Sequence, residues 1–323
     1  MDAHFTISHD PLSPPAALSG AVVAIGNFDG VHRGHAGVIA RAKALATTLG
    51  KPCAVLTFEP HPADFFGKTS VVFRLTPEAA KARCLAELKL DGMVVFSFDA
   101  GLSSLSAEDF ISQILVKRLG ISAAVAGYDF HFGKARAGSP QFLIEAGARY
   151  GFAVEIVEKI TADAQGSIEA VSSTKTRELL EAGDVRRAGL ALGHPYFVLG
   201  TVIQGEQIGR TLGFPTANMQ LDGSNRLRHG IYAVRVLVDA KIYDGVASYG
   251  RRPTFDNGAP LLESFLFDFS GNLYGKDVEV QFVDWIRPEL KFDSVEALTV
   301  QMQDDVRVAK ARLAELHHHR HVV

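Results

Sequence analysis

Two histidines, His32 and His35, close the stretch Gly26-Asn-Phe-Asp-Gly-Val-His-Arg-Gly-His35. Three residues apart on a first helical turn, two imidazoles share a face. Beside a bound phosphate they can donate hydrogen bonds to oxygens that gain charge in a transition state. They can equally be two ligands of a metal site, or capping and packing histidines. The glycines around them let backbone approach a ligand closely. An apolar run, Ala21 to Ile25, leads in, and a helical pattern, Ala36 to Leu49, leads out. The stretch thus falls where a buried strand turns into a helix. In an open parallel sheet that is where ligands bind, and free N–H groups with the helix dipole favour phosphate there.

Four further stretches carry chemistry-bearing types. Phe58-Glu-Pro-His-Pro62 ends a strand, where Phe58, Phe66 and the rings of Pro60 and Pro62 make an apolar wall for a flat ring, or simply a Pro-terminated strand. In Gly127 to Gly138, Lys134 and Arg136 suit phosphate, and Phe130 and Phe132 suit a stacked ring or the core; the Gly-Lys-Ser/Thr ending of a Walker loop is absent. Ser172-Ser-Thr-Lys-Thr-Arg177 sets hydroxyls at a helix N-cap beside two cations, an anion site. Gly205 to Asn218 holds three glycines whose amides can wrap phosphates, then Thr216 and Asn218, hard oxygen donors suited to Mg²⁺; a long barrel loop has the same composition. Glu263 is a general base or an exposed glutamate at a strand edge.

The elements that must hold these residues change character along the chain. Apolar runs at Ala21–Ile25, Cys53–Phe58, Met93–Phe98, Ala123–Ala126 and Ala153–Val157 alternate with helical patterns near Ala36–Leu49, Pro77–Leu88, Ala107–Leu119 and Pro140–Tyr150. That alternation predicts βαβ units and a parallel sheet covered on both faces. Short helices follow near Lys175–Glu181 and Val185–Leu192. After His194-Pro195 the pattern becomes short alternating runs at Phe197–Ile203, Tyr232–Val238, Lys241–Ala247, Ser264–Phe269 and Val278–Phe282, which predicts a small antiparallel barrel or sandwich. An apolar stripe of Val295, Leu298, Met302, Val306, Ala309, Leu313 and Leu316 predicts a closing helix. The domain boundary is expected between residues 185 and 195, giving domains 1–186 and 187–323.

With 33 basic and 36 acidic residues and a net charge of -3, no broad cationic surface is expected and nucleic acid is not a main partner. No apolar run is long enough to span a membrane, and Met1 to Ser19 has no signal-peptide core. Cys53 and Cys84 fall in predicted buried elements, so no disulfide framework is expected and a cytoplasmic setting fits. The tail cluster His317-His-His-Arg-His321 reads as solvated rather than as a metal site.

Taken in order, these stretches resemble the bacterial bifunctional riboflavin kinase/FMN adenylyltransferase family, also called FAD synthetases. His32-Arg-Gly-His35 is similar to the His-x-Gly-His core of nucleotidyltransferases, Gly127–Lys134 to the family's Gly-Phe-Asp-Phe-x-Phe-Gly-Lys segment, and Ser172–Arg177 to its Ser-Ser-Thr-x-hydrophobic-Arg motif, with Thr176 for the usual Ile or Val. Gly209–Asn218 is similar to the riboflavin kinase signature with its Pro-Thr-Ala-Asn core; Gly250–Thr254, Leu262–Phe269, Leu273–Gly275, Arg287 and Glu289 complete the match, and Phe265 stands where many relatives carry His or Tyr.

The resemblance implies α/β plus β: an N-terminal Rossmann-like nucleotidyltransferase domain with a parallel sheet, then a small antiparallel riboflavin kinase-like barrel closed by a C-terminal helix. It implies that His32, His35 and Arg177 serve adenylyl transfer and Glu263 serves as kinase base. ATP is expected at Gly26, Asn27, Phe28, Gly30, Ser172, Ser173 and Thr174 in one half, and at Gly205, Gly209 and Arg210 in the other. Flavin is expected at Phe58, Pro60, Pro62, Phe66, Asp129, Phe132 and Arg252, and Mg²⁺, brought with ATP, at Thr216 and Asn218. Riboflavin, FMN and ATP are then the small-molecule partners. Two rivals remain at this stage, a riboflavin kinase with an inactive transferase domain and a flavin-binding carrier without turnover.

Overall fold

Val22–Ile25 (β2) has no exposed residue, and Cys53–Glu59 (β3), Gly92–Ser97 (β4) and Ala123–Gly127 (β5) are buried nearly throughout. Strands of this kind must be covered on both faces, which in a parallel sheet is done by crossover helices. With Thr6–His9 (β1) and Ala153–Val157 (β6) they form a six-stranded sheet in the order β1-β4-β3-β2-β5-β6, every pair parallel. The computed structural model describes residues 5–67, 71–158, 171–205, 209, 212–251 and 260–319.

The helices of this half are Arg33–Leu49 (α1), Pro62–Phe66 (α2), Glu78–Glu87 (α3), Ala100–Ser104 (α4), Ala107–Asp109 (α5) and Pro140–Tyr150 (α6). From α5 the chain continues as a wider π-helical stretch, Phe110–Arg118, that buries Phe110, Ile111, Ile114 and Leu115. The ends follow local chemistry. In α6, Ser139 accepts the Phe142 N–H at 3.2 Å, Pro140 opens the first turn, and Gly151 ends the helix at φ 81°. Val23, Ile25, Leu56, Phe58, Val94 and Phe96 pack with Phe110, Ile111, Ile114 and Leu143 in one core.

The expected strands and helices of this half are present, with ends displaced by a few residues at most. β1 is an addition to the expectation: it is four residues long, only partly buried, and pairs with β4 alone at the sheet's edge. Such a strand leaves little trace in hydropathy.

By packing, the chain divides into Met1–Val72 with Thr76–Ser172, and Phe73–Leu75 with Ser173–Val323. The second unit holds Ser173–Glu181 (α7), Val185–Leu192 (α8), and strands Phe197–Thr201 (β7), Thr216–Gln220 (β8), Gly230–Val238 (β9), Lys241–Arg251 (β10), Pro260–Leu266 (β11) and Asp277–Arg287 (β12). All pairs are antiparallel in the order β7-β12-β9-β10-β11-β8, and a bridge between Ile203 and Asn218 nearly closes the barrel. Tyr232, Val234, Val236, Phe282, Met219 and Leu262 fill its interior, and Leu179, Leu180, Val185, Ala188 and Leu192 of α7 and α8 pack on that core. α7 lies wholly before the 186/187 division expected from patterning and α8 spans it, yet both pack on the barrel core. The last helix, Val295–His319 (α9), lays Val306, Ala309 and Leu313 on Ala233, Phe265, Phe267 and Val283, the barrel's opposite face.

Candidate functional site

In the first unit, β2 leads into a turn whose backbone is strained. Phe28 and Val31 adopt φ of 49° and 40°, a region costly for residues with a Cβ, and Gly30 lies at 85°. Hydrogen bonds hold the turn, among them Thr76 N–H to Asp29 Oδ1 at 2.9 Å, Gly30 N–H to Thr76 Oγ1 at 2.7 Å, and Val31 N–H to Phe28 O at 3.2 Å. Asp29 is buried, with 3% of its surface exposed, so the acid of this motif faces protein. The phenyl ring of Phe28 is buried too and meets His35 edge-on at 5.2 Å between centroids.

His32 caps α1. Its Nδ1 accepts the His35 N–H at 3.3 Å, which in a neutral ring leaves the proton on Nε2. The two imidazoles stack at 3.6 Å with 15° between their planes. Parallel rings carry their in-plane nitrogens side by side, an arrangement suited to two oxygens of one phosphate rather than to convergence on one ion. Of the readings the spacing left open, metal ligation therefore fits least, and among the described residues no group of three or more His, Cys, Asp or Glu gathers to hold a metal. His32 is indeed a cap, so capping and ligand binding coexist in one residue. Burial, then the neighbouring His32 and Lys81, hold the His35 imidazole well below the usual histidine range, so it is neutral at neutral pH. His35 Nδ1 is enclosed and has no hydrogen-bond partner among the described residues.

Around this turn lie the other expected residues of the unit. The carbonyl of Val171 comes within 3.9 Å of where a Cβ on Gly34 would stand, which brings the chain just before Ser172 beside the histidines. Gly26 donates its N–H to Leu56 O at 3.1 Å, and Asn27 O accepts from Thr57 Oγ1 at 3.0 Å. Phe58 is buried against Phe98 and Phe110, whereas Pro60 and Phe66 are exposed and Pro62 opens α2. Phe65, Phe66 and Phe98 meet edge-to-face at 5.2 to 5.7 Å, an aromatic group broader than Phe58 and Phe66 alone. Asp129 is exposed in the turn after β5, while Phe132 is buried between Phe110, Phe130 and Phe142.

In the second unit, α7 begins at Ser173; Thr174 is exposed, and Arg177 Nε donates to Phe73 O at 2.7 Å. Thr176, the departure from the family's apolar residue, is fully buried.

The barrel brings three expected residues onto one face. Asn218 stands directly opposite Glu263, and Thr216 opposite Phe265, in the β8–β11 pairing. Cross-strand partners share a face, and their alternates, Ala217 and Met219, point into the interior core. Thr216, Asn218 and Glu263 therefore sit on the outward face that carries Phe265, beside the surface covered by α9. A Cβ on Gly205 would overlap the Asn218 amide, so only glycine lets the loop pass this close. Gly209 O accepts the N–H groups of Leu212 and Phe214 at 3.1 and 2.8 Å, and the Phe214 ring meets Phe265 edge-on at 5.4 Å. Arg210, Arg252, Glu206 and Thr254 lie outside the described residues.

Arg287 ties β12 to α9 through a two-pronged pair with Asp305, at 2.7 and 2.6 Å, both side chains largely buried. Glu289 follows; burial pushes its carboxyl up, against the pull of His229 and Arg287. Sequence reasoning missed Asp305, Asp29, Thr76, Thr57 and Lys81. Only Thr57, one hydroxyl inside the apolar run Cys53–Phe58, stands out from its sequence neighbours; the others sit in polar, turn or mixed helical sequence and leave no such contrast.

The chain matches two family models: "FAD synthetase" over residues 15–175 and "Riboflavin kinase" over residues 192–313. A protein of Haemophilus influenzae named bifunctional riboflavin kinase/FMN adenylyltransferase is 42% identical over 295 residues, covering 91% of this chain and 94% of that one. Proteins of the same name from Escherichia coli and Bacillus subtilis are 37% identical, over 91% and 95% of this chain and 93% and 96% of theirs. A crystal structure described as a macrolide-efflux protein from Streptococcus pneumoniae superposes with a TM-score of 0.81 at 30% identity, covering 94% of this chain and 98% of that one. Among the described residues of this chain no helix is long and apolar enough to cross a membrane.

Proposed function

The chain belongs to the bifunctional riboflavin kinase/FMN adenylyltransferase family, and we propose how its own residues divide the family's two reactions. It is an ATP-dependent transferase that phosphorylates riboflavin to FMN and joins AMP from ATP to FMN, giving FAD and pyrophosphate. We assign adenylyl transfer to residues 1–186 and riboflavin phosphorylation to residues 187–323. The first range includes α7 because its motif belongs to transfer chemistry, although α7 packs with the second unit.

In adenylyl transfer, an FMN phosphate oxygen attacks the α-phosphorus of ATP, and the bond to the β-phosphate oxygen breaks. No proton need move, so positioning and charge stabilisation carry the catalysis. His32 and His35, stacked and with the His35 ring neutral, donate to the transferring phosphate from adjacent ring N–H groups. Gly26, Asn27, Phe28 and Gly30 shape the nucleotide's seat, and Ser172, Ser173, Thr174 and Arg177 hold the departing phosphates. Phe58, Pro60, Pro62, Phe66, Asp129 and Phe132 line the flavin side; Phe132, being buried, does so from beneath Phe130.

In phosphorylation, Glu263 takes the proton of the ribityl hydroxyl as its oxygen attacks the γ-phosphorus, and ADP leaves. Gly205, Gly209 and Arg210 wrap the nucleotide, and Arg252 meets the flavin. Mg²⁺ bound with ATP would neutralise phosphate oxygens, and the Thr216 hydroxyl and Asn218 amide oxygen are the hard donors that would hold it. The protein's small-molecule substrates fit a cytoplasmic enzyme.

The observation that supports this division best is the pairing of Asn218 with Glu263 on one rung of β8 and β11, which sets a hard ligand beside a carboxylate. Incubation with riboflavin, ATP and Mg²⁺, with flavins resolved by chromatography, tests it. FMN followed by FAD is expected. Stalling at FMN would leave a kinase alone, and no conversion would leave a carrier; starting from FMN isolates the transferase.

A further inference from the structure

Lys81 is the most deeply buried cation described in the first unit, with 2% of its surface exposed. It sits on α3, outside every stretch that the motifs mark. Its Nζ donates to Glu59 Oε1 at 2.8 Å and to Thr57 Oγ1 at 3.2 Å. Thr57 in turn donates to Asn27 O at 3.0 Å. One ammonium thus reaches both segments that face the substrates: the Gly26–His35 turn through Thr57 and Asn27, and Phe58–Pro62 through Glu59. A lysine and a glutamate removed from water cost several kcal/mol each before they attract one another, and a packed apolar pair in their place is often as stable. Stability alone gives little reason for this pair.

We propose that Lys81 is a positioning residue for adenylyl transfer, locking the histidine turn and the Phe58–Pro62 segment to one another through Thr57, Asn27 and Glu59. The inference rests on the assignment of transfer chemistry to that turn. It also has an electrostatic side. Among the described residues, the charged or titratable groups acting on His35 are His32, on its own turn, and Lys81, from α3, with Glu59 paired to Lys81. Burial first of all keeps the His35 imidazole neutral, and the fixed positive charge of Lys81, opposing a second one beside it, extends that neutral range to lower pH.

Four forms of the full chain test this: wild type, Lys81→Met, Lys81→Arg and the double variant Lys81→Met/Glu59→Leu. The readouts are FMN-to-FAD turnover against pH, riboflavin-to-FMN turnover, and the NMR titration of the His35 ring protons. Lys81→Met is expected to lower kcat for FAD formation about 100-fold, the scale of an ångström-sized misplacement. The KM for ATP should change less than about threefold, and riboflavin phosphorylation should be unchanged. The acid limb of FAD formation and the His35 titration should both move to higher pH in Lys81→Met, and return toward wild type in Lys81→Arg, which restores the charge. The double variant leaves no unpaired buried charge, so it tests the role even if the single variant fails to fold. It should fold, make FAD slowly and titrate His35 above wild type. A double variant with wild-type FAD turnover and an unshifted His35 would overturn the proposal. So would superimposable pH profiles for wild type and a folded Lys81→Met. A wild-type chain that makes no FAD would instead overturn the assignment of function.

Discussion

Removing the Asp305 carboxylate breaks the clamp between β12 and α9, and the cost follows from its geometry. Asp305 accepts Arg287 Nε at 2.7 Å, Arg287 Nη2 at 2.6 Å and Gln301 Nε2 at 3.1 Å. Its side chain is 6% exposed and that of Arg287 16%, so solvent screens the pair weakly. In Asp305→Ala the guanidinium keeps the Pro288 carbonyl at 2.8 Å but loses its counter-charge. Breaking a buried pair from one side costs about 3–5 kcal/mol. With a urea m-value of about 2 kcal/mol/M, a loss of about 4 kcal/mol moves the unfolding midpoint down by about 2 M. The assay is simple because the chain has 1 tryptophan, Trp285, and it lies on β12, so its fluorescence reports this unit. The double variant Arg287→Met/Asp305→Leu removes both charges and should recover most of the loss. Riboflavin phosphorylation should fall in the single variant, since α9 covers Phe265 and Phe267 beside Glu263, and FAD formation from supplied FMN should not. A midpoint shift under about 0.3 M in Asp305→Ala, or a double variant no more stable than the single one, would refute the reasoning.

Three other outcomes are expected. His32→Ala with His35→Ala abolishes FAD formation and leaves FMN formation intact, as read by chromatography of the two flavins. Glu263→Gln does the reverse, lowering riboflavin phosphorylation about 100- to 10,000-fold, the usual worth of a general base, while FMN is still converted to FAD. The depressed His35 also makes stability pH-dependent. The unfolded chain binds a proton near the ordinary 6.5 and the folded one resists it, so this contribution is complete above that value and is lost as pH falls below it. Calorimetry should show that decline, at most about 1.4 kcal/mol per pH unit from one proton, and His35→Gln should remove that part of it.

Unit one was legible in the sequence because strands buried on both faces write continuous apolar runs: Val22–Ile25 and Cys53–Glu59 can hardly be anything else. The barrel was less so. Thr216–Gln220 reads as the tail of a glycine loop, yet its alternation, Ala217 and Met219 inward with Thr216 and Asn218 outward, is that of a strand. The pattern Ser264–Phe269 suggested a strand there, but β11 runs Pro260–Leu266, because Phe267 is held apolar by α9 rather than by a neighbouring strand. The site's chemistry-bearing residues were legible as types and spacings. Their supports were not, since a hydrogen bond such as Thr76 to Asp29, made across 47 positions, has no local signature.

The rung shared by Asn218 and Glu263 has a consequence for how this barrel tolerates change. Side chains alternate along a strand, so a slip of one residue in β8 would turn Thr216 and Asn218 into the apolar interior and bring Ala217 and Met219 out against Glu263. A one-residue deletion inside Thr216–Gln220 inverts the facing of the residues on one side of it and with it the chemistry of the edge. Phosphorylation of riboflavin therefore serves as a readout of strand registration, and an insertion of one residue in this segment should silence it more than an insertion of two, which restores the facing.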